Sequence, residues 1–357
     1  MTSDASTGNA PGQREPWRDI VARYRTTHTL KSLAQVANTF PLYFALLYLM
    51  CLVLSHSYWW TLALSPMAAA LLVRIAVILH DCGHGSFFRS RRANDALGTF
   101  CGFLAFVPYH QWRKAHALHH ATSGDLDRRG VGDVPTLTVR EYLGRSRWGR
   151  LRYRMFRSPA FYLGAGPTLL LLVGQRLVNP SSGSTERRSV HCTNAVFAGV
   201  IALTWWTGTL TAFLLVYGPV LLLSSTALVY LFYVQHQFEN TYWERRERWD
   251  YFTAAVRGSS FLQLPSLLRW CTANLGYHHV HHLSSRIPNY ALRRCHDENP
   301  IFHQATVITL RSSLRSLRLR LWDEDQQRLV DVSAAGPAMR AAPHGSSPLK
   351  AGVDGLP

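Results

Sequence analysis

Residues 58–84 read YWWTLALSPMAAALLVRIAVILHDCGH, an apolar run that passes without a break into two histidines, His80 and His84. As helix, Tyr58 to Leu79 is about 33 Å long, enough to cross a bilayer. The two imidazoles, four residues apart, share one helical face at its end. Upstream, Ala34 to Ser55 is a second run of similar length, and the connection around His56 to Tyr58 carries no Lys or Arg. Downstream, Asp81 to Arg157 carries fourteen Lys and Arg against six Asp and Glu. Cytoplasmic loops are the ones enriched in Lys and Arg, so the histidine end of this hairpin faces the cytoplasm.

The same pattern recurs further along. Val190 to Trp206, a tight Thr207-Gly208-Thr209 turn and Leu210 to Val234 make a second hairpin with an uncharged outer turn. Between the hairpins, Ala160 to Val173 is apolar but short and broken by Gly164, Gly166 and Pro167. Were it to span, the basic C-terminal region would lie on the opposite face from Asp81 to Arg157, so it reads as interfacial or re-entrant. The expected fold is an all-α integral membrane protein, with four transmembrane helices in two hairpins and a cytoplasmic helical cap.

The 357 residues read as one membrane domain over 27–332, with a polar N-terminal tail over 1–26 and a disordered tail over 333–357. A formal net charge of +17 could suit nucleic acid, yet the basic residues flank apolar segments, where they favour anionic headgroups. Nucleic acid is therefore not an expected partner. Cys51, Cys82, Cys101, Cys192, Cys271 and Cys295 form no C-x-x-C pair, so reduced thiols are expected rather than a zinc ribbon or disulfide framework. The N-terminus lacks a short apolar core with a small-residue cleavage site, and no cleaved signal peptide is expected.

Eight of the seventeen histidines fall in three clusters: His80 and His84 in HDCGH, His116, His119 and His120 in HALHH, and His278, His281 and His282 in HHVHH. Helical spacing of i, i+3 and i+4 lets each cluster aim its imidazoles at a single point and sets His279 aside. About 0.04 H-x-x-H-H matches are expected by chance in such a chain, and two occur. Neutral imidazole suits Fe, Zn, Cu or Ni. Eight or more imidazoles exceed the ligand set of a single zinc site and favour two metals, while the absence of a Glu-x-x-His pair argues against a carboxylate-bridged di-iron bundle.

HDCGHGSFF, WRKAHALHHATSGDLDRRG and GYHHVHHL together resemble the three-box pattern of membrane fatty-acid desaturases, most closely the acyl-lipid omega-6 (delta-12) type, over about residues 30 to 300. The resemblance implies two iron ions that activate O2 and remove two hydrogens from an acyl chain, held by His80, His84, His116, His119, His120, His278, His281 and His282. It implies a ninth ligand after the last spanning helix, where His236 stands in YVQHQFEN. The first box has the acyl-lipid spacing of three intervening residues. No His-Pro-Gly-Gly haem motif is present, so electrons are expected from a separate carrier such as ferredoxin.

An apolar acyl chain offers no acid or base handle, so no catalytic triad is expected. Asp81, Asp125 and Asp127 are candidates to accept N–H bonds from ligand imidazoles, and Asn274 and Gln235 to hold a metal-bound water. Arg128 and Arg129 read as a solvated pair or as contacts to a lipid phosphate or the donor, and Arg74 as snorkelling to the cytoplasmic interface. Hydroxylation or ketolation of an acyl chain or carotenoid is the rival outcome, since the same boxes serve both. A non-catalytic metal transporter would need ionisable groups along its spans; only Arg74 and His191, near span ends, occur here.

Overall fold

The computed structural model of this chain describes residues 16–335, and the tail readings for 1–15 and 336–357 lie outside the described residues. α1 (Pro16–Ala22) buries Trp17 and Val21. The Trp17 ring lies 6.0 Å from Tyr251 and 5.9 Å from Phe252. Part of the stretch that composition assigns to a polar tail is thus packed, because two apolar residues four apart give a short helix one face to bury.

α2 (Thr29–Leu54) and α3 (Tyr58–His84) form the first hairpin, and both are long and apolar enough to cross a membrane. Ser57 caps the start of α3. At the other end Gly85 takes φ +66° and returns its N–H to the Asp81 and Cys82 carbonyls, stopping the helix with His80 and His84 on its last turns. Arg74 does not snorkel. It is buried, donating from Nε to Thr39 Oγ1 (3.0 Å) and from Nη1 to the Trp270 carbonyl, with its guanidinium 4.2 Å from the Trp270 ring centre. Two acceptors and an aromatic face supply inside the protein what the interface would otherwise offer.

α4 (Arg91–Ala105), capped by Ser90, and α5 (Tyr109–Thr122) make a short hairpin beside the first. Ser32 Oγ donates to the Phe87 carbonyl (2.6 Å) just before α4, and Phe40 stacks on Phe100 (5.7 Å) near its end. Eight residues along α2 is about 12 Å, so α4 descends that far and α5 climbs back with its histidines. The charges in the Asp81 to Arg157 segment hide this descent from hydropathy.

A loop leads to β1 (Leu137–Thr138), α6 (Val139–Gly144) and α7 (Arg147–Phe156). The apolar stretch after them folds as α8 (Pro159–Leu163) and α9 (Ala165–Leu172), two short pieces broken at Gly164. α10 (Ser184–Trp206) and α11 (Leu210–His236) are the second hairpin, turning at Gly208 (φ +68°). α11 is the third helix long and apolar enough to span, whereas α10, at 23 residues, carries Glu186, Arg187 and Arg188 in its first two turns and does not meet that measure. Trp59 and Trp60 at one hairpin turn and Trp205 and Trp206 at the other are exposed, as tryptophans at a membrane surface are.

The rest covers the histidine ends of the long helices: α12 (Tyr251–Arg257), β2 (Phe261–Gln263), α13 (Ser266–Cys271), α14 (His278–Leu283), α15 (Asn289–Asp297), β3 (Val307–Thr309), α16 (Leu310–Ser316), β4 (Leu319–Asp323) and β5 (Arg328–Asp331). β1 pairs parallel with β4, which pairs antiparallel with β5; β2 and β3 pair parallel. The chain is mostly helical but not all-α. Strands of two to five residues are too short for apolar alternation to register.

Candidate metal centre

Nine histidines from four helices converge. His80, His84, His116, His120 and His281 form one group and His119, His236, His278 and His282 another, with ligand atoms within 4.8 Å of one another in each. The clusters do not each aim at one point. On α5, His116 and His120 join the first group and His119 the second; on α14, His278 and His282 join the second and His281 the first. At about 100° per residue, positions i+3 and i+4 fall on opposite sides of i. Each H-x-x-H-H box therefore serves both groups, and the two boxes do so in reciprocal fashion.

Within the first group, His120 Nε2 lies 3.2 Å from His116 Nε2 and 3.0 Å from His281 Nε2. Within the second, His236 Nε2 lies 3.2 Å from His119 Nε2 and 2.9 Å from His278 Nε2. Imidazole nitrogens sharing one transition metal at about 2.1 Å and right angles stand about 3 Å apart. His80 Nε2, His84 Nε2 and His282 Nε2 are buried without a hydrogen-bond partner. Inward lone pairs with nothing to accept from fit a bound cation. Burial, reinforced by neighbouring imidazoles, holds the pKa values of His116, His120, His278, His281 and His282 well below the ordinary histidine value. All five are neutral at pH 7, the form that ligates.

The other ring nitrogen is braced in several cases. His80 Nδ1 is 3.2 Å from Asp81 Oδ1, and Asp81 Oδ2 accepts from both the backbone and side-chain N–H of Asn289 (2.9 Å each). Asn289 and Gln35 exchange amide hydrogen bonds at 2.9 and 3.1 Å, tying α3 to α15 and α2. His236 Nδ1 faces the Gly258 carbonyl at 3.3 Å. His119 Nδ1 lies 2.5 Å from Asp133 Oδ1, a buried carboxylate that sequence reasoning missed. Its loop approaches α5 through Gly132 (φ +75°), where a Cβ would stand 2.9 Å from the Ala115 carbonyl oxygen and 3.2 Å from His119 Cβ. A glycine beside an acid soon after the second box was the available signal.

The remaining candidates are engaged elsewhere. Asp125 is fully buried but bonds Arg128 Nε (2.7 Å) and the Asp127 N–H (2.9 Å). Asp127 accepts from Arg245 Nη1 (2.7 Å) and the Arg246 N–H (2.9 Å). Asn274 donates to the Asn289 carbonyl (3.1 Å) and Gln235 to the Leu275 carbonyl (2.9 Å). Arg129 pairs with Glu141, so neither arginine of the pair is simply solvated. His279 belongs to neither group: its Nε2 is 3.0 Å from His296 Nδ1, and burial followed by the His296 charge pushes its pKa down to about 3.

A family model described as "Fatty acid desaturase" matches residues 57–307, a stretch that contains all nine histidines. A protein named "Fatty acid desaturase" from Bacillus subtilis is 45% identical over 314 residues, covering 88% of this chain and 89% of that one. The "sn-1 acyl-lipid omega-3 desaturase (ferredoxin)" of Synechocystis is 28% identical over 223 residues, 61% of each chain. The "sn-1 oleoyl-lipid 12-desaturase" of Anabaena variabilis is 27% identical over 255 residues, covering 66% of this chain and 70% of that one.

Proposed function

This chain belongs to the fatty acid desaturase family, oxidoreductases that act on acyl chains, and from that premise we propose that it desaturates an acyl chain of a membrane lipid with O2 at a centre of two iron ions. The observation that carries this reading is the reciprocal division of nine histidines into two groups of ligand-bearing nitrogens. Two groups of neutral imidazoles suit two transition-metal ions better than one.

When bound, the irons supply the oxidising chemistry that an unactivated acyl chain requires. The protein's own residues hold and orient. His80, His84, His116, His120 and His281 serve one ion; His119, His236, His278 and His282 serve the other. Asp81 and Asp133 accept from the Nδ1–H of His80 and His119, which fixes the tautomer and leaves each Nε2 lone pair facing inward. α2, α3, α10 and α11 cross the bilayer as two hairpins, and the short helices and strands form a cytoplasmic cap. The excess of Lys and Arg over Asp81 to Arg157 and the exposed tryptophans at the outer turns support that orientation. A site at the cytoplasmic ends of the spans lies where a lipid's acyl chain can be offered from the membrane.

Electrons come from a separate one-electron carrier, for which ferredoxin is the proposed class; one relative's name specifies it. The proposed double-bond position is delta-12, supported by the box resemblance and by a relative named as a 12-desaturase.

The test is to express the chain in a host whose lipids carry only monounsaturated acyl chains and to locate double bonds by derivatisation and mass spectrometry, with His119→Ala as control. A new diene in the parent alone is the expected result. A new double bond elsewhere would keep the activity and move its position, and a hydroxy or keto product would overturn desaturation.

A further inference from the structure

We propose that α7 lies in the plane of the membrane surface as an amphipathic helix bound to anionic phospholipid headgroups. The inference rests on the spanning reading above, because it places α7 by reference to α11.

The height of α7 is fixed at two points. Within the helix, the Tyr153 hydroxyl donates to the Arg320 carbonyl (2.5 Å) and accepts from the Leu137 N–H (3.1 Å), holding one face against the cap. At its C-terminus the buried Arg157 donates to Gln237 Oε1 (2.9 Å), one residue beyond α11. From there the chain descends: Tyr162 meets Tyr233 at 5.2 Å, and Thr168 Oγ1 meets Ser225 Oγ at 3.0 Å. Ser225 is eleven residues before the end of α11, about 16 Å along its axis. Exposed Leu169, Leu170 and Val173 follow on that descending segment. A helix at the head of such a descent stands at the water–lipid boundary.

Its composition suits that place. Trp148, Leu151 and Met155, spaced three and four apart, form one stripe and are 79%, 43% and 63% exposed, whereas Tyr153 is buried on the opposite side. Arg145, Arg147, Arg150, Arg152 and Arg154 surround the stripe, and the only acid across α6 and α7, Glu141, is taken by Arg129. A solvated apolar stripe is costly in water, and the guanidinium groups that ring it have no acidic partner among the described residues. Together they are complementary to a surface with acyl chains beneath and phosphate oxygens at its level.

A nitroxide at Trp148→Cys or Leu169→Cys in the full chain tests this, with the exposed Cys51 and Cys192 changed to Ser. The protein is placed in phosphatidylcholine nanodiscs with or without phosphatidylglycerol, and collisions with O2 and with a water-soluble nickel chelate are compared. The Trp148→Cys label is expected to collide with nickel several-fold less often than a label at the exposed Gln326→Cys. Adding phosphatidylglycerol should lower its nickel collisions further, and Arg152→Gln with Arg154→Gln should remove that response. A nickel-accessible label at Trp148→Cys with a lipid-embedded one at Leu169→Cys would overturn the proposal alone; nickel access at both would overturn the spanning reading beneath it. Immersion indifferent to both phosphatidylglycerol and the arginines would overturn the headgroup assignment.

Discussion

The two histidine groups share α5 and α14, draw on α3 and α11 respectively, and are braced from different directions. In the first, the His80 ring leans on Asp81, its own neighbour in sequence, and that carboxylate is held by Asn289, which Gln35 holds in turn, across three helices. In the second, His119 leans on Asp133 and His236 on the Gly258 carbonyl, both delivered by irregular chain. The first group is fixed by helix packing, the second by loops that must approach closely. This difference separates changes that disturb the whole fold from those that disturb one histidine group.

The largest effects come from the ligands and should not distinguish the groups. His281→Ala in the first and His236→Ala in the second are each expected to lower product formation more than about 100-fold, beyond the 10- to 100-fold typical of outer partners; assays of equal amounts of folded protein check this. Unaltered activity in one of them would break the equivalence of the two groups.

Next come the braces, where the groups should part. Asp133→Asn and Asp81→Asn are each expected to lower activity or iron affinity about 10- to 100-fold. Only Asp81→Asn should also lower the thermal unfolding midpoint: its buried carboxylate faces His80 with one oxygen and accepts twice from Asn289 with the other, an amide keeps one acceptor oxygen, and the donor left unmatched costs about 1–3 kcal/mol, whereas the second partner of Asp133, the Gly130 N–H, is exposed and can turn to water. Thermal unfolding of both metal-free variants separates the cases, and an equal drop in both would remove the distinction.

Gly132→Ala sharpens the comparison further. A Cβ at φ +75° that meets the Ala115 carbonyl oxygen costs about 1–2 kcal/mol of backbone strain, and the loop must shift, carrying Asp133 away from His119. Weakened iron binding without damage to the first group, read by iron titration, is expected. The smallest effect belongs to His279→Gln: it lies in neither group, so iron content should match the parent's, and metal analysis after purification checks it.

Much of this centre was legible in sequence because ligand spacing and helix period are local properties. The three boxes, and His236 at the end of α11, are brought together in space. Which histidine serves which group is not carried by the spacing, which puts i, i+3 and i+4 on one broad face and leaves its division to the facing helices. Asp81 stood out by adjacency. Asp133 did not, because its contact depends on the path of a loop. Asp125 and Asp127 lay closer to the box in sequence, yet that path turns both toward arginines. The α4 and α5 hairpin beside α2 escaped hydropathy because its charges argue against an apolar setting, although one of them, Asp95, is paired with Arg113 (2.6 Å). The broken helix after Gly164 and the three long apolar helices followed from composition, while strands of two to five residues left no periodic trace.

Two groups of imidazoles should hold two irons. Iron content per chain, measured on purified full-length protein after iron loading and removal of loosely bound metal, tests this most directly when the parent is set beside His236→Ala and Asp133→Asn. Two irons are expected in the parent, one retained in His236→Ala by the undisturbed first group, and a second iron in Asp133→Asn that a chelator removes more readily than the first. A parent that saturates at one iron, or a His236→Ala variant that keeps two as firmly as the parent, would contradict that expectation.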